Sequence, residues 1–305
     1  MADQRPWIVV AGESLVDRLV RPDGGVEEHP GGGPFNTARA LGRLGARVGF
    51  VGGISTDDRG HVLRRTLEAD GVDLSLMQTI DRPTLVATAT LDSDGVASYR
   101  FDPSDSAAAG LMAASLPVDT VALHVGTLGL VLEPTAATIA GLVAAAPPGV
   151  LVMLDPNIRP VAIVDEARYR ARLDAVLARA DLVKVSVDDL SWLDSRPEID
   201  VAAGRLVTAG PAAVLVTNGP APVRVVTRAG IASVPVPAVP VVDTIGAGDA
   251  FSAGFLAAWT RARRGRADLA DADAIVEAVR SAVRVASWTV GRAGADPPAP
   301  DDPAS

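Results

Sequence analysis

Residues 241–255 read VVDTIGAGDAFSAGF. An apolar run (Val239, Val241, Val242) stops at Asp243, small residues follow at Gly246 and Gly248, and Asp249 precedes a helical pattern through Phe251, Phe255, Leu256 and Trp259. The spacing predicts a strand, a tight glycine turn and a helix. Glycines at such a junction let backbone approach an anion closely, and the first free N–H groups of the helix point at it. A carboxylate in that first turn would repel a bound phosphate unless the chemistry needed it there. The obvious need is to orient and deprotonate a hydroxyl that attacks a phosphoryl group. A bare GxGD is more often a tight turn with an acidic helix start. The longer string weights the reading toward chemistry.

The run DTIGAGDAFSAGF resembles the C-terminal signature of the ribokinase-like (PfkB) sugar kinases, DTxGAGDxFxxG. Near the other end, Gly31–Asn36 (GGGPFN) followed by TARALGRLGARVGFVGGISTDDRG resembles the glycine-rich N-terminal signature of the same family. Family-like features run from Gly12 to Ala295. The resemblance implies a three-layer α/β/α sandwich with a mostly parallel central sheet and a small β lid. It also implies phosphoryl transfer from ATP, with Mg²⁺, to a sugar hydroxyl.

Composition fits that picture. The 305 residues are 48% hydrophobic and 21% charged, enough for a substantial core and too apolar for a disordered chain. Net charge is −9, without a basic block or aromatic interleaving, which argues against nucleic-acid binding. The absence of cysteine removes disulfides, thiolate metal sites and cysteine nucleophiles. Lys184 is the single lysine among 28 Lys and Arg residues, read as a coding bias. The start, MADQRPWIVV, lacks the features of a signal peptide, and no apolar run reaches bilayer length. The expectation is a soluble cytoplasmic protein without membrane contact.

Short β-rich runs alternate with Ala/Leu/Arg helical patterns, which predicts a parallel sheet covered on both faces. Strands are expected at Trp7–Ala11, Val48–Val51, Val121–Val125, Val150–Leu154, Leu182–Val185, Val214–Thr217 and Val223–Thr227. Helices are expected at Thr37–Leu44, Gly60–Ala69, Pro134–Ala145, Glu166–Ala180, Val201–Ala209, Ala250–Arg263 and Ala272–Val290. Ser14–His29 is polar and turn-rich, and Thr84–Phe101 alternates around Asp94–Gly95 as a β-hairpin would. By resemblance, residues 1–295 form one kinase domain. About 13–34 and 84–102 form its lid, which often pairs with a second subunit. Residues 296–305, rich in Pro and Asp, are expected to be disordered.

No GxxxxGK[ST] string exists, so the anion hole must come from Gly246, Ala247 and Gly248. By resemblance Asp249 is the catalytic base, although an aspartate with a pKa of about 3.9 is a feeble base toward an alcohol. Asp17, Gly31, Gly32 and Asn36 resemble the sugar cradle, and Arg100 closes the lid hairpin over it. Asn36 alone could equally cap the following helix. Asp155, Asn157 and Arg159 (DPNIR), after an apolar strand, resemble the fructokinase and 2-keto-3-deoxygluconate kinase branch, as does His124–Leu130 with Glu133–Pro134. His124 itself reads as structural. Lys184 and Ser186, with Thr217 and Gly219 (TNG), fall where the family binds ATP. The usual NxxE metal motif reads Ser186–Asp189 here, so Asp189 is expected to order Mg²⁺ through water. Alternatively, Asp188 and Asp189 serve only as helix-start charges. The Asp243 region with Ser287–Ala295 is where some members hold a monovalent cation such as K⁺. The expected activity is a fructokinase, working as a homodimer through its lid. The alternatives are 2-keto-3-deoxygluconate kinase, then ribokinase or nucleoside kinase, and, outside enzymes, an inactive sugar-sensing relative. A nicotinamide oxidoreductase would need GxGxxG after the first strand, where the chain reads VAGESLVD.

Overall fold

The computed structural model describes residues 5–91, 97–101, 103, 105–298 and 302, with backbone alone for 91 and 97–100. In chain order the strands are β1 (Trp7–Ala11), β2 (Leu15–Val20), β3 (Val26–Gly31), β4 (Arg47–Val51), β5 (Gly53–Ser55), β6 (Gln78–Ile80) and β7 (Val86–Leu91). They continue with β8 (Ala97–Phe101), β9 (Thr120–Gly126), β10 (Leu151–Asp155), β11 (Leu182–Ser186), β12 (Ala213–Asn218), β13 (Ala221–Thr227) and β14 (Gly230–Val234). The helices are α1 (Gly33–Arg43), α2 (Asp58–Ala69), α3 (Thr135–Ala144), α4 (Glu166–Arg179), α5 (Val187–Leu193), α6 (Ile199–Ala209), α7 (Ala247–Arg261) and α8 (Ala272–Val290).

Eight strands form the central sheet in the order β14-β13-β12-β11-β10-β9-β1-β4. Its pairs are parallel from β12 to β4, while β13 and β14 add an antiparallel edge. Side chains alternate between faces, so each buried strand feeds two cores. Ile8 and Val10 join the α1, α2, α7 and α8 layer. Val9 and Ala11 join the layer made by α3 to α6. This is the three-layer sandwich that the apolar, non-alternating strands imply.

The two segments that break the alternation form a separate sheet in the order β3-β2-β7-β8. There β2 pairs antiparallel with β3 and parallel with β7, and β7 pairs antiparallel with β8. The expected hairpin strands are thus present, and the turn at Asp94–Gly95 lies outside the described residues. A small apolar cluster underlies this sheet, with Leu15, Leu85, Ala108, Leu128 and Ala162 at its centre.

Two expectations change. The apolar run Val239–Val242 is not a strand: Val241 and Val242 are each 63% exposed in an irregular segment. Pro235, Pro237 and Pro240 strip that stretch of ladder donors, so it cannot join the sheet. Helix α1 starts at Gly33, four residues before the expected Thr37, because Pro34 suits a first helical turn. Asn36 therefore lies inside the helix and caps nothing. Among the described residues no helix is long and apolar enough to cross a membrane.

Candidate active site

The carboxyl ends of the parallel strands lie level, with Ala11 opposite Val125, Gly126 opposite Asp155, and Ser186 opposite Thr217. Open α/β sheets bind ligands along this edge. Helix α7 points its N-terminus into the same region. Gly246 caps it with φ of 75°, and a side chain there would come within 2.5 Å of Ala295 Cβ. Only glycine meets both conditions. Ala247 and Gly248 follow as the first helical residues, and Asp249 completes the first turn. The free N–H groups of that turn make an anion site.

Asp249 is 9% exposed. Its Oδ2 accepts a 3.0 Å hydrogen bond from Asn36 Nδ2, which ties α7 to α1 across 213 positions of the chain. Its Oδ1 faces Gly33: a Cβ at Gly33 would stand 3.3 Å from that oxygen and 2.5 Å from Thr127 Oγ1. The missing side chain lets the Gly33 backbone lie directly against a carboxylate oxygen and a hydroxyl, so two oxygens able to hold a hydroxyl converge beside the start of α1. Asn36 Oδ1 is buried without a partner among the described residues, a further acceptor. Burial lifts the Asp249 pKa from 3.8 to about 7; donation from Asn36 opposes the rise and the charge of Asp155 adds to it. The carboxyl expected from sequence to be ionised far below neutrality is thus poised near it.

Beneath the helix start, Lys184 Nζ donates to Asp155 Oδ2 at 2.8 Å, with both side chains buried. Burial works against the ammonium, and the Asp155 carboxylate more than offsets it, holding Lys184 charged. A Cβ at Gly248 would lie 2.6 Å from Lys184 Nζ, so the cation sits directly under the first turn. Asp155 Oδ1 has no partner among the described residues. Thr127 and Asn157, at the ends of β9 and β10, hold left-handed backbone at φ of 51° and 38°. Asn157 Nδ2 donates to Thr127 Oγ1 at 3.4 Å. Such strain in non-glycine residues concentrates at functional sites. Arg159 is exposed, and its charge acts on Asp17, Asp155 and Asp249. Asp17, on β2, reaches over Gly31, and burial raises its pKa to about 6 against the pull of His29 and Arg159. The small sheet therefore brings two of the expected sugar-cradle residues to the edge of the large one. The Arg100 backbone pairs with Thr88, and its side chain lies outside the described residues.

Other expected positions also make hydrogen bonds within the chain. Asp189 and Ser186 form a capping box: Ser186 Oγ accepts from Asp189 N–H, and Asp189 Oδ2 accepts from Ser186 N–H and Oγ–H. Asp189 Oδ1 accepts from Ile158 N–H at 2.7 Å. Both its oxygens serve the chain, which undercuts the geometric basis for an ordered Mg²⁺ there. Among the described residues no three His, Asp or Glu side chains cluster as a metal cage would need. An ion carried on nucleotide phosphates and water would need no such cage. Asp243 accepts from Ile245 N–H through Oδ1 and from Gly294 N–H through Oδ2, so it fastens the loop before α7 to the chain after α8. Thr217–Gly219 ends β12 and enters a two-residue hairpin turn, with Gly219 at φ of 50°. His124 is buried between Val10 and Met153, and burial, aided by Lys184, pushes its pKa down to about 3. It is a neutral core residue, as read.

Two residues of the site were missed. Thr127 announces itself only through its backbone angle and its neighbours in space. Glu13, in VAGESLVD, left a legible trace: an acid directly after an apolar strand stands at the ligand-binding edge of the sheet.

The chain is similar to proteins of known family. Residues 8–302 match the pfkB family carbohydrate kinase description. A fructokinase of Rhizobium leguminosarum bv. trifolii is 37% identical over 257 residues, 82% of this chain and 78% of that protein. A Xylella fastidiosa fructokinase crystal structure with bound ATP superposes with a TM-score of 0.85 at 28% identity, over 95% of this chain and 93% of that one. The Vibrio cholerae O395 fructokinase with fructose, ADP and calcium ion gives 0.84 at 26% identity, over 96% and 95%. With nearly its whole length matched by that family model, the chain belongs to the pfkB family of carbohydrate kinases.

Proposed function

We propose that the chain is an ATP-dependent fructokinase, which transfers the γ-phosphoryl group to a primary hydroxyl of fructose. The observation that supports this reading is the convergence of Asp249 Oδ1 and Thr127 Oγ1 on Gly33, beside the N-terminus of α7. An acceptor hydroxyl there has a base on one side and an anion site next to it. As the sugar oxygen bonds to phosphorus, its proton passes to Asp249 and ADP leaves. The N–H groups of Ala247 and Gly248, with Gly246 shaping the turn and Lys184 below it, stabilise the charge on the transferring group. Asp17, Gly31, Gly32, Asn36, Asp155, Asn157, Arg159 and Arg100 are assigned to the sugar. Ser186, Thr217 and Gly219 are assigned to the nucleotide side. Mg²⁺, when it arrives on the phosphates, supplies charge neutralisation. A monovalent cation beside Asp243, pairing of two copies through the small sheet and a cytoplasmic setting belong to the same reading.

The named relatives support fructose as the acceptor. The test is ADP release with ATP and a panel of fructose, 2-keto-3-deoxygluconate, ribose and nucleosides. Fructose should give the highest kcat/KM. A faster 2-keto-3-deoxygluconate would move the chain to the other branch. Sugar binding without ADP release from any acceptor would make it a sensor.

A further inference from the structure

Glu13 follows β1 and is fully buried, at 0% exposure. Its carboxylate has no Arg, Lys or His beside it among the described residues. Instead Oε1 accepts from Gly33 N–H at 3.1 Å and Oε2 from Gly129 N–H at 2.8 Å. Burial, with a contribution from the nearby charge of Asp249, raises its pKa to about 7. A lone buried carboxyl is unfavourable, and a chain that needed only a link between two loops could have used an amide or a hydroxyl. What an ionised carboxylate adds is two acceptor oxygens and no hydrogen, so it can take two N–H donors at once.

The two donors flank the place where Asp249 Oδ1, Gly33 and Thr127 Oγ1 converge, which the proposed function assigns to the acceptor. Gly33 opens α1 and forms one wall, with Asp249 Oδ1 and Thr127 Oγ1 facing it. Gly129 lies in the short 3₁₀ turn Thr127–Leu130, which carries the opposite wall. Gly129 itself packs so closely that a side chain would reach 2.8 Å from Gly12 Cα, so this turn cannot settle further toward β1. Glu13 thus holds both walls from behind, and among the described residues no hydrogen bond joins it to Asp249.

We propose that Glu13 is a positioning residue, which sets the spacing of Gly33 and Thr127 and so the depth at which an acceptor hydroxyl meets Asp249. This rests on the assignment of the acceptor to this pocket, not on which sugar it is. Glu13→Gln keeps the shape but turns an NH₂ toward one of the two N–H donors, so one wall is released. Glu13→Asp keeps the charge but is a methylene too short to serve both. Each variant should raise KM roughly tenfold or more for whichever sugar the wild type phosphorylates best, and lower kcat, with the ATP KM within about twofold. Calorimetric sugar binding without nucleotide should weaken in parallel, and thermal melting should stay cooperative. Unchanged sugar KM and kcat in Glu13→Gln would overturn the proposal, as would equal rises in both KM values, the mark of general loosening. If the best sugar proves not to be fructose, the fructokinase reading falls while this test stands. If the wild type neither binds nor phosphorylates any sugar, the pocket assignment fails and this proposal with it.

Discussion

At the scale of single residues, the site is a trade between ionisation and burial. Asp249 in the unfolded chain has an ordinary carboxyl pKa of 3.8 and in the folded protein one of about 7. Folding therefore takes up a proton over the interval between those values, so this group lowers stability as pH rises through it. The same shift makes the carboxylate a better base once ionised. Asp249→Asn should lower turnover by about 10²–10⁴. In the wild type, kcat/KM should fall as pH drops below about 7, where the base is protonated. The variant should also melt higher than wild type at alkaline pH, with the difference shrinking in acid. Equal melting of the two proteins across that range would show that Asp249 carries no burial penalty and that its raised pKa is wrong.

At the scale of elements, α5 shows how a polar motif can serve the chain before it serves a ligand. Only seven residues long, it needs its ends held. Ser186 and Asp189 cap it, and Asp189 also takes the N–H of Ile158 from the Asp155–Arg159 loop. Losing that carboxylate removes a cap and leaves a buried N–H unpaired. Asp189→Ala should cost about 1–3 kcal/mol in denaturant unfolding. The 155–159 loop carries residues assigned to the sugar, so sugar KM should rise while the Mg²⁺ concentration for half-maximal rate stays put. A raised Mg²⁺ requirement at unchanged stability would restore the metal role and remove the capping one.

At the scale of the molecule, the two sheets differ in what holds them. The large sheet is clad on both faces by helices and two extensive cores. The small one rests on a modest apolar cluster and is tethered at Thr84, whose N–H and Oγ–H both reach Asp57 at the start of α2. Fewer buried contacts make it the part with least resistance to opening. Asp17 and Gly31 ride on it, so a sugar that touches them links the small sheet to the large one. Hydrogen exchange in β2, β3, β7 and β8 should slow when the correct sugar is added, and slow less with ATP alone. Exchange there that ignores sugar would leave the small sheet a passive edge or a contact between subunits.

The alternation of elements, the strand cores and the helix start at Gly246–Asp249 were legible in the sequence because each depends on local spacing: apolar periodicity, glycine punctuation, an acid in a first turn. Local rules also misled, as at Val239–Val242, where apolar content suggested a strand and Pro240, with Pro235 and Pro237 just before, forbade one. What tertiary structure alone decided is the state and partnership of the charges. The pKa of Asp249 comes from its burial in the folded chain. The commitment of Asp189 to Ile158, the seating of Lys184 under Gly248 and the bracket that Glu13 makes between Gly33 and Gly129 each join segments far apart in the chain. Spacing along a sequence specifies which groups are available; desolvation and distance in three dimensions determine what each can do.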